Sequence, residues 1–220
     1  ARYVKFEDGH KTLGGTAFEN VEDSYYDIIG AIRYAVELGY EDIYLQGHSL
    51  GATKVVYTYS KMQKENHEFL KYIKGIILLS LVDIADMLNS YADKSAIEYA
   101  LEKEQNDELF DLMTAGSFIH PISVKTFLQY VKYNESIDFA RYSEENDEFE
   151  ILNQIKIPLF MRWGNIRELI KRDAKDQTYF MNRKIKNEKK DISYIEGANH
   201  SYDEKANQLA DEICEFLNKI

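Results

Sequence analysis

The stretch Ile43-Tyr44-Leu45-Gln46-Gly47-His48-Ser49-Leu50-Gly51-Ala52-Thr53-Lys54-Val55-Val56 decides the fold. Ile43 to Gln46 is short and apolar, as a buried strand is, and Ala52, Val55, Val56, Tyr59 and Met62 then recur at helical spacing. Between them Gly47-His48-Ser49-Leu50-Gly51 matches the pattern G-x-S-x-G. At this chain's own glycine and serine frequencies, about 0.03 such matches would arise by chance. A strand, a turn tight enough to take glycine on both flanks and a helix whose positive end faces the turn make a nucleophile elbow, which lifts the Ser49 hydroxyl above the sheet.

The flanks extend the same alternation. Asn20 is a good N-cap with Asp23 three residues on, and Val21, Tyr25, Ile28, Ile29, Ile32, Ala35 and Val36 follow at helical spacing until Gly39. Gly75 to Val82 and Ile157 to Trp163 are continuous apolar runs of the kind covered on both faces, and Asp191 to Glu196 is a fourth strand. A last helix is expected from about Asp203, with Ala206, Leu209, Ala210, Ile213, Phe216 and Leu217 on one face. Strands alternating with helices predict an α/β fold, a mostly parallel sheet with helices on both faces. Residues 84–150 interrupt the pattern with 5 basic and 15 acidic side chains, nearly the whole of the net charge of -11. They are expected to form a helical cap, with helices at Ala96–Leu101, Leu109–Met113 and Val124–Tyr133, inserted into a core of residues 1–83 and 151–220.

Composition excludes several functions. The acidic balance, with a pI near 5.0, has the wrong sign for coating a phosphate backbone, so nucleic acid is not an expected partner. No apolar run approaches the roughly 18 residues of a membrane span, and Ala1 to Asp8 lack the layout of a signal peptide, which points to a cytoplasmic protein. The single cysteine, Cys214, leaves no disulfide and no cysteine cluster for a metal, and reads as a small packed residue of the last helix.

A serine hydroxyl needs a base to become a nucleophile. Of five histidines, His200 is placed for it: Glu196-Gly197-Ala198-Asn199-His200-Ser201 follows the last strand, at the end of the sheet where the elbow also lies. His48 adjoins Ser49 but is expected to point elsewhere, His10 and His67 read as surface, and His120-Pro121 reads as a cap turn.

Together these features resemble the α/β-hydrolase superfamily, with the chain order Ser, acid, His and a cap between strands. The stretches 45–54, Ile122–Phe127 and Gly197–Ser201 are also similar to poorly characterised hydrolases related to fungal siderophore-ester hydrolases. The resemblance implies hydrolysis of a small carboxylic ester, thioester or amide through an acyl-enzyme on Ser49, without metal or organic cofactor. It implies an acid in the loop after the strand that precedes the last. There Asn165 or Arg167 holds the usual aspartate place, Glu168 lies one step along, and Asp83, at the end of the 75–82 strand, is the alternative.

One oxyanion donor is expected from the backbone N–H of Leu50. The superfamily places the second in a loop after an earlier strand, and only one strand is legible before Ser49, with a glycine-rich loop at Gly9, Gly14 and Gly15. The N-terminal strands are therefore expected to be absent and the elbow strand to lie at a sheet edge, open to a second copy or a partner chain. Tyr3-Val4-Lys5-Phe6 is the alternative edge strand. The competing reading is a catalytically silent domain or fragment that binds a partner; a third keeps the elbow but transfers the acyl group to an acceptor other than water.

Overall fold

A computed structural model describes residues 4–7, 10–116, 121–132, 134–168, 170 and 172–220, and the side chains of residues 4–7, 10, 11 and 91 lie outside what it describes. Tyr3, Gly9, His120 and Tyr133 lie outside the described residues. Contacts divide the chain into two compact units. One comprises residues 24–83 and 139–220, the other residues 1–23 and 84–138. The division thus falls after Asp138, twelve residues before the expected boundary at 150, and assigns the first 23 residues to the helical unit.

The larger unit is built on four parallel strands in the order β3 (Ile43–His48), β4 (Ile73–Leu79), β5 (Leu159–Gly164) and β6 (Lys190–Ile195). Each pairs with the next, with one register shift in the β3-β4 ladder between Ile43 and Tyr44, and Leu79 stands opposite both His48 and Arg162. Helices α1 (Ser24–Glu37), α2 (Leu50–Glu65), α6 (Glu150–Gln154), α7 (Ala174–Lys184) and α8 (Ala206–Leu217) belong to this unit. The apolar runs are buried as expected: every residue of β5 is buried, and so are Gly75 to Leu79 of β4. Ile77, Leu79, Phe160 and Ile195 pack against Leu209 and Phe216 of α8, which leaves Ile76 and Leu78 for the opposite face. Arg162 is buried on the α8 face and binds Glu212 of α8 at 2.6 Å and Asp191 of β6 at 2.9 Å, tying helix to sheet through paired charge. Among the described residues β3 is an edge strand.

The helical unit contains a two-stranded antiparallel sheet, β1 (Val4–Glu7) with β2 (His10–Leu13), and helices α3 (Ile84–Tyr91), α4 (Lys94–Gln105) and α5 (Val124–Val131). Val4 to Phe6 thus pair with Lys11 to Leu13 rather than with the elbow strand. Ala96, Ala100, Val124, Phe127 and Leu128 form the unit's own core. Leu109–Met113 is not helical. The carbonyls of Leu109 and Asp111 accept the N–H groups of Lys125 and Val124, which satisfies the open first turn of α5, and Leu112 bridges Ser123.

Several local expectations are corrected. The helix after Asn20 begins as a 3-10 turn at Val21–Asp23, and regular α1 starts at Ser24. Helix α8 begins at Ala206 rather than Asp203, because Tyr202 and Glu204 hold left-handed φ angles of 58° and 62° that no helix continues through. Helix α7 is not apparent from the sequence, its polar composition giving a weak apolar stripe. Cys214 is exposed, not packed. Among the described residues no helix is long and apolar enough to cross a membrane.

Candidate active site

The four parallel strands all end on the same side of the sheet, and each delivers one polar residue there: Ser49 after β3, Ser80 after β4, Glu168 after β5 and His200 after β6. The backbone ladder continues one step past two of the strands, with Ser49 N–H donating to Leu79 O at 2.8 Å and Ser80 N–H to Arg162 O at 2.7 Å. The placement of both serines is therefore a continuation of sheet register.

Ser49 sits at φ 55°, ψ -129°, a conformation a non-glycine residue adopts only under constraint. A Cβ on Gly47 would stand 2.3 Å from the carbonyl oxygen of Gly51, so this flank of the turn requires glycine. The other flank does not. A Cβ on Gly51 meets no described atom within 4 Å, against the expectation that the tight turn needs both. Leu50 opens α2, and its N–H belongs to the first turn, where no helical carbonyl is available to receive it.

His200 Nε2 lies 3.0 Å from Ser49 Oγ, and His200 Nδ1 lies 2.5 Å from Glu168 Oε1. The carboxylate requires Nδ1 to carry the proton, which leaves the Nε2 lone pair facing the serine hydroxyl. Glu168 is itself enclosed, its side chain 3% exposed against 20% for His200. Its second oxygen, Oε2, accepts the Ser80 hydroxyl at 2.7 Å and the Gly164 N–H at 2.9 Å. Both oxygens of the carboxylate are thus engaged, one by the imidazole and one by the sheet.

Two loops hold this geometry. Asn165 and Ile166 N–H groups converge on Ala198 O at 3.0 and 2.9 Å, and Asn165 Oδ1 accepts the Gly197 N–H at 2.7 Å, so the acid loop and the histidine loop are stitched together. Gly164 makes the approach possible, since a Cβ there would lie 2.3 Å from Ala198 O. Arg167 takes φ 52° one residue before Glu168. Asn165 and Arg167, which hold the usual aspartate place, therefore serve the turn, while Glu168 faces the histidine.

Asp83 is buried elsewhere in the same unit: its Oδ2 accepts the Ser143 N–H at 2.7 Å, and its own N–H donates to Tyr142 OH at 3.1 Å. Tyr142 in turn donates to Leu81 O at 2.7 Å, an acceptor it shares with the Trp163 indole N–H at 3.0 Å. Burial, with the negative charges of Asp83 and Glu168 beside it, raises the Tyr142 phenol well above its usual range, so it acts as a permanent neutral donor.

Besides Ser80, two residues that the sequence does not mark as part of this group belong to it. His48 does not point away: its Nε2–H donates to His200 O at 2.7 Å, and the two rings lie 4.9 Å apart. Tyr202 is buried, donates to Arg162 O at 2.8 Å and lies with its hydroxyl 3.0 Å from Ser80 Oγ; burial raises its pKa above the usual tyrosine range. The one signal for His48 is its place in the motif. Nothing in the local pattern around Tyr202 marks it, because its role depends on a left-handed turn.

No protein-family model matches the sequence, and no curated protein does either. Solved structures do. The chain is similar to a soluble variant of the monoglyceride lipase from Saccharomyces cerevisiae in complex with a substrate analogue, at TM-score 0.57 and 15% identity, over 90% of this chain and 68% of the lipase. It is also similar to a structure of the metagenome-derived lipolytic enzymes LipS and LipT, at TM-score 0.54 and 12% identity, over 92% of this chain and 75% of the other. The chain has the α/β-hydrolase fold. The closer kinship with siderophore-ester hydrolases does not follow from these likenesses.

Proposed function

We propose that the chain is a serine hydrolase of carboxylic esters, thioesters or amides that works through an acyl-enzyme on Ser49. The observation that carries this reading is the continuous line from Ser49 Oγ through His200 to Glu168, at 3.0 and 2.5 Å. The α/β-hydrolase fold, shared with two lipolytic proteins, supports ester substrates.

In this mechanism Ser49 Oγ attacks the acyl carbon while its proton passes to His200 Nε2. The imidazolium that forms is held by the Glu168 carboxylate, which keeps its own charge. The carbonyl oxygen becomes an oxyanion and receives the Leu50 N–H at the positive end of α2. Collapse of the tetrahedral intermediate breaks the bond to the leaving alcohol, thiol or amine, which takes the proton from His200. Water then attacks the acyl-Ser49 ester with His200 again as base, releasing the acid and restoring Ser49.

The test is mass spectrometry after exposure to a fluorophosphonate. A single adduct on Ser49, lost in Ser49→Ala and much slowed in His200→Ala, is the expected result. Absence of an adduct on folded protein would remove this reading and favour a silent domain that binds a partner through the open edge of β3. Product analysis with added alcohols or amines separates hydrolysis from acyl transfer.

A further inference from the structure

Ser80 occupies a position that the fold does not require a serine to fill. It directly follows β4, is 1% exposed, and holds φ at 46°, the left-handed region where glycine is at ease and other residues are strained by about 1 kcal/mol or more. Its N–H is fixed on Arg162 O, so the backbone cannot relax without breaking the sheet ladder. A strained residue that keeps a side chain in such a place does so for what the side chain touches.

The hydroxyl has one proton and three acceptors within reach: Glu168 Oε2 at 2.7 Å, Tyr202 OH at 3.0 Å and His200 O at 3.4 Å. The charged acceptor is also the nearest, and a hydrogen bond to a charged group is roughly twice as strong as a neutral one. Tyr202 gives its own proton to Arg162 O. The Ser80 proton therefore belongs to Glu168.

We infer that Ser80 is a positioning residue, whose hydroxyl locks the Glu168 carboxylate so that Oε1, and not Oε2, faces His200. This rests on the serine-hydrolase reading above. Ser80 touches neither the nucleophile nor a substrate; it acts through Glu168. With Gly164 N–H it closes a two-donor clamp on Oε2, and the clamp fixes the rotation of the carboxyl plane, on which the orientation of the imidazole depends. The groups that face His200 are Glu168 from the β5 loop, His48 and Ser49 from the β3 end, and Ser80 from the β4 end.

The decisive substitution is Ser80→Gly, because glycine accepts φ 46° without strain. If Ser80 were merely structural, this folded variant would be as reactive as the parent, whatever its stability. A positioning role predicts a folded variant whose Ser49 is labelled by fluorophosphonate about 10- to 100-fold more slowly, the worth of one hydrogen bond to a carboxylate. The low-field proton resonance of His200 Nδ1–H, read without any substrate, should shift or broaden in step.

Ser80→Ala makes the same deletion with the backbone left strained, so either variant, if folded, decides between the two roles. Wild-type labelling rate together with an unmoved resonance in a folded Ser80→Gly or Ser80→Ala chain would overturn the inference. Failure of the parent itself to label would instead remove the reading beneath it, and with it any catalytic meaning for Ser80.

Discussion

Replacing Glu168 by glutamine should be more than a loss of charge, because the structure determines which way the amide must lie. Oε2 receives two donors, the Ser80 hydroxyl and the Gly164 N–H, so the glutamine oxygen has to occupy that place and its NH₂ group has to face His200 Nδ1. An NH₂ donor there requires Nδ1 to be the acceptor, which moves the imidazole proton to Nε2, opposite Ser49 Oγ at 3.0 Å. The base is then in the wrong tautomer to accept the serine proton. The expected loss is about 10⁴ in acylation rate, or about 5.5 kcal/mol of barrier at about 1.4 kcal/mol per decade. The fold should survive, since the substitution is isosteric and the Ser80 and Gly164 donors keep their acceptor. Rates of fluorophosphonate labelling and of p-nitrophenyl ester hydrolysis, with a thermal melt on the same sample, measure both. Glu168→Ala is the reference, leaving His200 unheld but free to choose its tautomer, so it should be no more damaging than the glutamine variant. A Glu168→Gln enzyme within tenfold of the parent would refute the orientation argument and the assignment of Glu168 together.

Asp83→Asn should keep labelling within a few-fold of the parent, since an asparagine oxygen can still accept the Ser143 N–H; a loss near that of Glu168→Gln would transfer the acid role to Asp83. Gly47→Ala should destroy the elbow and the labelling, whereas Gly51→Ala should leave labelling near normal and raise stability by about 0.5–1 kcal/mol, both read from labelling and urea melts. Tyr25, buried and donating to Glu65 Oε2 at 2.5 Å, has its pKa pushed up to about 12, first by burial and then by Glu65. The folded state therefore holds this proton more tightly than the unfolded state, whose tyrosine titrates near 10. That contribution is complete below about pH 10 and is lost as pH rises toward 12, so the urea midpoint of Tyr25→Phe should fall less steeply than the parent's over this range. Parallel slopes would show that the hydroxyl contributes nothing.

How far the sequence leads depends on how local each signal is. The elbow is legible because strand, turn and helix are contiguous, and because Gly47 answers a clash with an atom only four residues away. His200 is legible because the last strand and the last helix bracket it. The acid is harder: Glu168 and Asp83 both follow apolar strands, and what separates them is the contact of Glu168 with His200, held by two donors, Ser80 and Gly164, from the ends of different strands. Tyr202, Ser80 and the contact of His48 with the site are invisible, since each depends on a left-handed turn or on a partner more than a hundred residues distant. Cys214 shows the reverse error, where a residue type that is usually buried stands on the exposed side of an amphipathic helix.

The distribution of strain gives these misses a common cause. Of the described non-glycine residues with positive φ, Ser49, Ser80, Arg167, Tyr202 and Glu204 belong to the loops that leave the four strands. The first four place their own side chain, or the next residue's, in the group around His200. Such conformations run against local propensity, so a reading based on propensity and periodicity misses them where they are most informative. Relief of strain by glycine thus separates two roles that a simple alanine scan would merge. At Ser80 it should slow Ser49, with the relief of strain offset by the lost hydrogen bond to Glu168; at Ser49 it should stabilise the chain while abolishing labelling; and at Arg167, whose side chain takes no part in the proposed chemistry, it should stabilise the chain and leave labelling intact. Calorimetry and labelling on the three glycine variants would test this, and a slow Arg167→Gly enzyme would show that strain at these loops cannot be assigned residue by residue.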